Sequence, residues 1–370
     1  MRNENPKPRL SVKLASFLVI AILMFVTVEL SSSLVLIYHY RLNGKLRGDD
    51  VSLLSSVSLV TKALVDLGLF PPRDSDEWLP HGMVVSDNSL GWTLRPGKYT
   101  WNFKHRANPF GDWDILSTKV TINDDRSRWT GAAADPLKPN IYIFGDSAVF
   151  GTGVNDEQTF AYYIQMARPN YNVKLMAVPG YGLVHNYMRF LQVQKDIHPN
   201  DIVIIGYAEY YDIRNVAAPS VIRETEVHYK SLFPGDLPPR QDEFTPKAEL
   251  TDGGHLTIRL VEQNCAVLVD YCKQQDPSRS YLMAVSARLI NEMGGSAATR
   301  TILLHIDAAH PTLASKSNPI FGVIDKNIEL ISALQEDFGY FMEDWILYFN
   351  DHPGPYWHYA ISRKLLSVIQ

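Results

Sequence analysis

A serine in a small-residue turn is the side chain of this sequence best placed to do chemistry. Gly145-Asp146-Ser147 directly follows the apolar run of residues 141–144. A buried strand that runs into such a turn places Ser147 at the carboxyl edge of a sheet, where open α/β folds hold their ligands. A serine hydroxyl becomes a nucleophile when a base takes its proton, and the oxyanion that forms needs amide donors, such as those of a strand-to-helix turn. The same three residue types are common in ordinary turns, so the tripeptide alone predicts only a tight turn.

The segments after this turn alternate between strand-like and helix-like patterns. Two further apolar runs, at residues 173–178 and 202–205, end in loops, and stretches of helical length lie at residues 158–167 and 183–196. The order strand, helix, strand, helix, strand predicts a parallel sheet with right-handed crossovers. All three strand ends therefore meet at one edge of the sheet, together with Ser147.

With these loops the chain resembles the SGNH, or GDSL-like, hydrolase family, which has a three-layer α/β/α fold like that of flavodoxin. The turn at Ser147 matches the Gly-Asp-Ser nucleophile turn of that family. Its second motif is a glycine after the next strand, whose amide joins that of the serine in the oxyanion hole, and Gly180 is the match. Its third motif is usually Gly-x-Asn-Asp, where this chain has Tyr211-Asp212. Either the Tyr211 hydroxyl replaces the amide donor, or the oxyanion hole has one donor fewer.

The fourth motif of the family is a histidine shortly before the last helix, normally in the spacing Asp-x-x-His. His352 matches it by position, because it follows the apolar run of residues 345–349 and precedes a closing helical stretch at residues 356–368. Asp351 is adjacent to it, and consecutive side chains of an extended segment point to opposite sides, so a bend must turn this carboxylate toward the imidazole. The resemblance implies a triad of Ser147, His352 and Asp351.

A second histidine competes with His352. His310 has the literal family spacing after Asp307, and it follows another strand-like run at residues 301–306. A long segment still comes after it, however, whereas the histidine of the family follows the last strand. We therefore prefer His352 as the base.

The N-terminal region predicts a membrane anchor. Basic residues precede a mostly apolar span of 25 residues, 14–38, whose only charged residue is Glu29. This length suffices to cross a bilayer as a tilted helix. A cleaved signal peptide with its apolar region at residues 14–28 is the alternative, but no Ala-x-Ala-like site follows and apolar residues resume at 34–38. We therefore expect the protein to contact the lipid bilayer through an uncleaved anchor.

The orientation of this anchor follows from a small charge bias. More basic residues precede the span than follow it, which favours a cytoplasmic basic tail at residues 1–13. A single-pass protein of the inner (cytoplasmic) membrane with an extracytoplasmic catalytic domain is the expectation. A carboxylate within a span is costly, so Glu29 indicates a membrane-protein partner, unless it lies near the interface or is protonated.

Beyond the anchor the sequence predicts one catalytic domain with additions. Residues 39–80 form a membrane-proximal helical linker, and residues 81–138, rich in turn signals and β-formers, form a small β-rich module. The SGNH-like domain occupies residues 139–370. An insertion at 219–296 has a Pro-rich start and suggests a lid or partner surface.

Charge and cysteine content exclude several classes of function. The net charge is −5 with mixed signs and without a long basic cluster beyond the N-terminus, so we expect no nucleic-acid partner. Cys265 and Cys272 are the only cysteines, which leaves no metal-ligand cluster, and we expect no metal and no other cofactor. On one helix the two would lie about 10 Å apart, too far for a disulfide, and their redox state is open.

Together these features predict a serine-dependent ester hydrolase of the cell envelope. An acyl-serine intermediate forms on Ser147, His352 acts as base, and the substrate is an acylated small molecule or glycan. Two alternatives stay open. In an O-acyltransferase a sugar hydroxyl of a cell-envelope polysaccharide replaces water at deacylation, and in a non-catalytic descendant the altered motifs serve assembly.

We expect the mature protein to retain Met1 and to stay with the membrane fraction through a carbonate wash, because residues 14–38 span the bilayer uncleaved. N-terminal sequencing and fractionation check this expectation. A mature N-terminus near Ser33 would show cleavage. Complete protection of the domain from protease added outside the inner membrane would reverse the topology.

Overall fold

The fold is given by a computed structural model that describes residues 82–105, 114–223, 244–265, 267–294, 299–306, 318–334 and 352–369. All of these belong to one unit, which comprises Glu77–His105 and Trp113–Gln370. The predicted anchor at residues 14–38 and the predicted linker at 39–80 lie outside the described residues. No helix within the described ranges is long and apolar enough to cross a membrane.

Two antiparallel hairpins come first in the chain. They are β1 (Val84–Asp87) with β2 (Gly91–Leu94), and β3 (Gly97–His105) with β4 (Asp114–Ile122). Their buried side chains, among them Trp92, Trp101 and Val120, belong to the same apolar cluster as the strands of the parallel sheet. The residues of the predicted β-rich module therefore share a core with the parallel sheet.

The remaining strands and helices alternate along the chain. In order they are β5 (Asn140–Phe144), α1 (Ser147–Phe150), α2 (Phe160–Ala167), β6 (Asn172–Leu175), α3 (Leu183–Val193), β7 (Ile202–Tyr207), α4 (Tyr211–Asn215), β8 (Phe244–Leu250), β9 (Leu256–Glu262), α5 (Val269–Cys272), α6 (Arg279–Gly294), β10 (Arg300–Ile306), β11 (Ile328–Ala333) and α7 (Pro355–Leu366). Short 3₁₀ turns lie at Asp156–Gln158, Gln194–Asp196 and Pro319–Gly322.

Five parallel strands form the central sheet, in the order β11-β10-β7-β5-β6. The chain moves from β5 outward to β6 and then reverses to β7, so right-handed crossovers place α2 and α3 on opposite faces of the sheet. Helix α7 packs beside α2, and α6 packs beside α3 and α4. The predicted three-layer α/β/α arrangement with the strand order of flavodoxin is confirmed.

The insertion predicted at residues 219–296 contains a hairpin and helices. Its middle part is the antiparallel hairpin β8–β9. The one-turn helix α5 follows, and its last part is α6, the crossover helix between β7 and β10, which packs beside α3 and α4. The Pro-rich start of the insertion lies outside the described residues.

The edge strand β11 was missed by the sequence analysis. The last strand was predicted at residues 345–349, which lie outside the described residues. Strand β11 buries Ile328 and Ile331 and leaves Leu330 exposed, so its apolar residues do not form a continuous run. An edge strand of this kind gives a weak apolar signal in a search for buried strands.

Cys265 and Cys272 form a disulfide, with their Cα atoms 5.7 Å apart. The distance of about 10 Å for two cysteines on one helix does not apply, because Cys265 lies outside the helix that holds Cys272. Cys272 ends the one-turn helix α5, whereas Cys265 precedes it in a turn that the Leu268 N–H closes by donating to the carbonyl of Asn264 at 2.8 Å.

Arg128 joins the hairpins to the sheet. Its main chain bridges β4 and the edge strand β6, and its side chain is wholly buried. The guanidinium donates to the Asp156 carboxylate at 2.9 Å and to the carbonyls of Phe150, Gly151 and Val154 at 2.9, 2.7 and 2.7 Å. The Lys119 carbonyl at 3.4 Å is a fifth acceptor, so five acceptors surround a charge that has no access to water.

Arg128→Ala should lower the free energy of unfolding by about 3–5 kcal/mol, because it leaves the Asp156 carboxylate buried without its counter-ion. Arg126→Ala is the matched control, since Arg126 makes a half-exposed ion pair with Asp87 and should lose less than about 1 kcal/mol. Urea unfolding of the full chain in detergent, followed by tryptophan fluorescence, measures both. Equal losses in the two variants would contradict the central role of Arg128.

Candidate active site

Ser147 begins α1 directly after β5, at the carboxyl edge of the sheet. Ser147 is half-buried, whereas its neighbours in the turn, from Gly145 to Phe150, are buried. The Asp146 carboxylate caps α1 by accepting a hydrogen bond from the Ala148 N–H at 2.9 Å. The turn is thus fixed from inside and presents one residue, a serine, toward solvent.

Two glycines allow α1 to lie directly on the strand ends. A Cβ on Gly145 would lie 2.4 Å from the Cβ of Val149, and a Cβ on Gly206 would lie 2.5 Å from a methyl group of the same side chain. Val149 is wholly buried between them. The absence of a side chain at Gly145, just after β5, and at Gly206 of β7 therefore determines how close α1 and Ser147 come to the sheet.

Residues that follow β7 hold the Asp146 carboxylate. The Tyr210 hydroxyl donates a hydrogen bond to its second oxygen, and Arg214 Nη1 lies 3.6 Å from that oxygen. The Arg214 guanidinium also lies over the Tyr210 ring, 4.8 Å from its centre. Burial and then the charge of Asp146 raise the pKa of Tyr210 well above its usual value, so this hydroxyl remains a donor.

The Gly180 loop follows β6, the strand next to β5. Gly180 has φ of 85°, in the left-handed region that favours glycine, and it is exposed. Within the described residues, neither its N–H nor that of Ser147 donates a hydrogen bond. Two free amides at neighbouring strand ends are the donors that an oxyanion hole requires.

Tyr211, the third predicted member of the oxyanion hole, is buried at the start of α4. Its hydroxyl has no hydrogen-bond partner among the described residues. Burial and then the charge of Asp146 raise its pKa well above the usual value. The tyrosine that bonds the nucleophile turn is its neighbour Tyr210, which the sequence analysis did not single out.

The structure indicates a different alignment of the third family motif with this sequence. The pattern Gly-x-Asn-Asp, placed on Tyr211-Asp212, would put its glycine at Glu209. Counted instead from Gly206, which lies against α1, the pattern puts Ala208 where the asparagine would stand. An alanine side chain has no donor, so this position adds nothing to the two amides.

The direction of α7 shows at which edge of the sheet His352 lies. At the start of α2, the Phe160 N–H donates to His358 of α7 at 3.4 Å, and just after the end of α2 the Arg168 guanidinium donates to the Ile369 carbonyl at 2.6 Å. The two helices therefore run in the same direction. Because α2 runs from the carboxyl edge of the sheet to the amino edge, α7 begins at the carboxyl edge.

His352 lies three residues before the first residue of α7 and is half-buried. It therefore lies at the same edge of the sheet as Ser147. Asp351, its predicted partner, and His310, its competitor, lie outside the described residues.

A buried histidine–carboxylate pair at the ends of β7 and β10 was missed by the sequence analysis. His305 Nε2 lies 2.9 Å from Glu209 Oε1, and the two side chains are 1% and 11% exposed. Asn318 donates to the same oxygen at 2.9 Å. Burial raises the pKa of Glu209, but the hydrogen bond and charge of His305 and the Asn318 hydrogen bond lower it overall. Strand β7 lies between β10, which carries His305, and β5, so two strand spacings of about 4.8 Å lie between His305 and Ser147.

A second buried carboxylate, Asp212, continues this polar cluster. It accepts hydrogen bonds from Ser286 of α6 at 2.6 Å and from the Tyr207 hydroxyl at 3.2 Å. Burial raises its pKa to about 6. The cluster ties α4 and α6 to the ends of β7 and β10.

No group of three or more His, Cys, Asp or Glu residues that could hold a metal ion occurs in the described part of the chain. A scan against protein-family models finds no match, and a search of the curated proteins finds none.

A search of solved structures finds remote similarities. The chain is similar to a member of the lipolytic protein G-D-S-L family from Veillonella parvula DSM 2008, at 12% identity and TM-score 0.32, over 63% of this chain and 98% of that chain. It is also similar to the lipase Lip_vut3 from a goat rumen metagenome, at 12% identity and TM-score 0.35, over 63% and 98%. A third similarity is to LAE5, an alpha/beta hydrolase enzyme from the metagenome of Lake Arreo in Spain, at 11% identity and TM-score 0.34, over 63% and 97%. The SGNH-like hydrolase fold itself is recognised here from the strand order and from the positions of Ser147 and Gly180.

Proposed function

We propose that the protein is a serine-dependent ester hydrolase of the SGNH type. The observation that carries this proposal is the nucleophile turn, in which Ser147 alone reaches toward solvent while the residues around it are buried. The exposed Gly180 lies in the loop after β6, the strand next to β5, and its amide has no acceptor within the described residues. A reachable hydroxyl beside two unbonded amides is suited to attack on an ester carbonyl.

The reaction takes place in two steps. His352 accepts the proton of the Ser147 hydroxyl while its oxygen bonds to the ester carbonyl carbon, and the amides of Ser147 and Gly180 stabilise the oxyanion. The imidazolium then protonates the leaving alcohol, which leaves an acyl-serine. In the second step a water molecule attacks this ester with His352 as base, which releases the carboxylic acid and restores the serine. Asp351 fixes the tautomer of His352 and stabilises the imidazolium.

We place this activity in the cell envelope. The Cys265–Cys272 disulfide supports an oxidising compartment, because cytosolic thiols are kept reduced. The predicted anchor at residues 14–38 and the charge bias around it support an inner-membrane protein whose catalytic domain lies outside the cytoplasm. Acylated small molecules or glycans of that compartment are the proposed substrates, and Glu29 is the proposed contact with a membrane-protein partner.

A fluorophosphonate probe should label the wild-type protein, and Ser147→Ala should abolish the labelling, because the probe bonds to the activated serine oxygen. Ser367→Ala is the matched control, since Ser367 is an exposed serine just after α7 and should not affect labelling. An unlabelled wild type would contradict the proposal and favour a non-catalytic assembly role. For a labelled protein, release of free acid or acylation of an added oligosaccharide separates hydrolysis from acyl transfer.

His352→Ala should lower kcat on a small aryl acetate by at least about 10³-fold, as expected for loss of a triad member. His310→Ala, the same change in the competing histidine, should reduce kcat far less. Steady-state kinetics, with folding checked by thermal melts, compares the two variants. The reverse ranking would assign the base to His310.

A further inference from the structure

The structure assigns a positioning role to Trp92, which belongs to the hairpin β1–β2 outside the parallel sheet. We propose that Trp92 holds the Gly180 loop in the conformation that aims the Gly180 amide at the oxyanion. This inference rests on the proposed function. It adds to the Ser147 site a residue from an element that precedes the α/β domain in the chain.

Both neighbours of Gly180 are tied to Trp92 by hydrogen bonds. The indole N–H donates to the Pro179 carbonyl at 3.1 Å. The Tyr181 hydroxyl donates to the Trp92 carbonyl at 2.6 Å. The residue before Gly180 is therefore held by the Trp92 side chain, and the residue after it by the Trp92 main chain.

The indole ring also packs against Gly180 itself. A Cβ on Gly180 would lie 3.2 Å from the six-membered ring of Trp92, so the glycine rests on the ring. The rings of Tyr181 and His185 surround the indole, with centres 5.6 and 4.8 Å from it. Burial and then the charge of Arg214 lower the pKa of His185 to about 3, so this ring beside the indole is uncharged near neutral pH.

The hairpin that carries Trp92 is itself supported from behind. A Cβ on Gly91 would lie 2.3 Å from the Phe244 carbonyl oxygen, which shows how closely β8 of the insertion approaches β2. Strand β8 therefore packs against β2, and Trp92 of β2 packs against the Gly180 loop. Both the insertion and the hairpin β1–β2 thus contribute to the position of the Gly180 amide.

These contacts matter for catalysis because the backbone of a glycine can adopt many conformations. Without a Cβ, Gly180 can leave the conformation with φ of 85° for others that point its amide elsewhere. A donor stabilises an oxyanion well when it is already aimed at that position before the charge develops. Because the negative charge develops only during the reaction, the loop position affects kcat rather than substrate binding.

Trp92→Phe in the full chain tests this role, since it removes the indole N–H and part of the ring. We expect the rate constant for fluorophosphonate labelling of Ser147, and kcat for a small aryl acetate, to fall about tenfold while KM changes less than about threefold. Trp101→Phe is the matched control, because Trp101 is also a buried tryptophan, on β3 in the same part of the chain. It should leave both rates within about twofold of wild type.

Tyr181→Phe provides a second and milder variant, which deletes one hydroxyl and keeps the ring. It should also slow labelling, by about threefold or more. Hydrogen exchange measured by mass spectrometry should increase at residues 176–186 in Trp92→Phe and Tyr181→Phe, and remain unchanged in Trp101→Phe.

The outcomes separate this inference from the proposed function. Labelling and exchange rates like those of wild type in both Trp92→Phe and Tyr181→Phe would overturn the positioning role and leave the esterase proposal intact. An equal loss of rate in Trp101→Phe would also overturn it, because the effect would then be general. A wild-type protein that the probe does not label would overturn the proposed function, and the positioning role with it.

Discussion

The structure depends on one buried guanidinium. Arg128 has no access to water, so its donors must be satisfied inside the protein, and Asp156 and four main-chain carbonyls do this. Two of these carbonyls, those of Phe150 and Gly151, end the helix that Ser147 begins. The helix that carries the proposed nucleophile cannot shift without leaving part of a buried charge unpaired. Arg128, which follows β4, thereby fixes the position of the Ser147 turn, which comes later in the chain.

The proposed site is built in a similar way. Contacts within the protein fix the turn at Ser147 and the Gly180 loop, and they leave the serine side chain and the Gly180 amide available to a substrate. Asp146 caps α1, accepts a hydrogen bond from Tyr210 and lies close to Arg214, while the adjacent serine faces solvent. Gly180 rests on Trp92, while its amide has no partner within the described residues. An arrangement of this kind stabilises the charge of a reaction because the donors need not reorganise when the charge appears.

Two features distinguish this site from the motif pattern that it resembles. Ala208 stands where the pattern counted from Gly206 has asparagine, so the proposed oxyanion hole consists of main-chain amides. The polar side chains after β7 serve the framework instead. Tyr210 bonds Asp146, and Glu209 bonds His305, two strands away from the nucleophile. The loop that carries the third motif thus holds neighbouring elements together.

Local sequence patterns determined four of the five strands of the parallel sheet, the turn at Ser147 and the loop at Gly180, because a buried apolar run is a signal carried by adjacent residues. The tertiary structure alone decided that the Tyr210 hydroxyl donates the hydrogen bond to Asp146, since adjacent residues of one short segment differ only in direction. It also decided the pairing of the cysteines, which depends on a turn before α5. The contact of Trp92 with the Gly180 loop joins residues 87 positions apart. No local pattern contains such a contact, because it arises only when packing brings distant segments together.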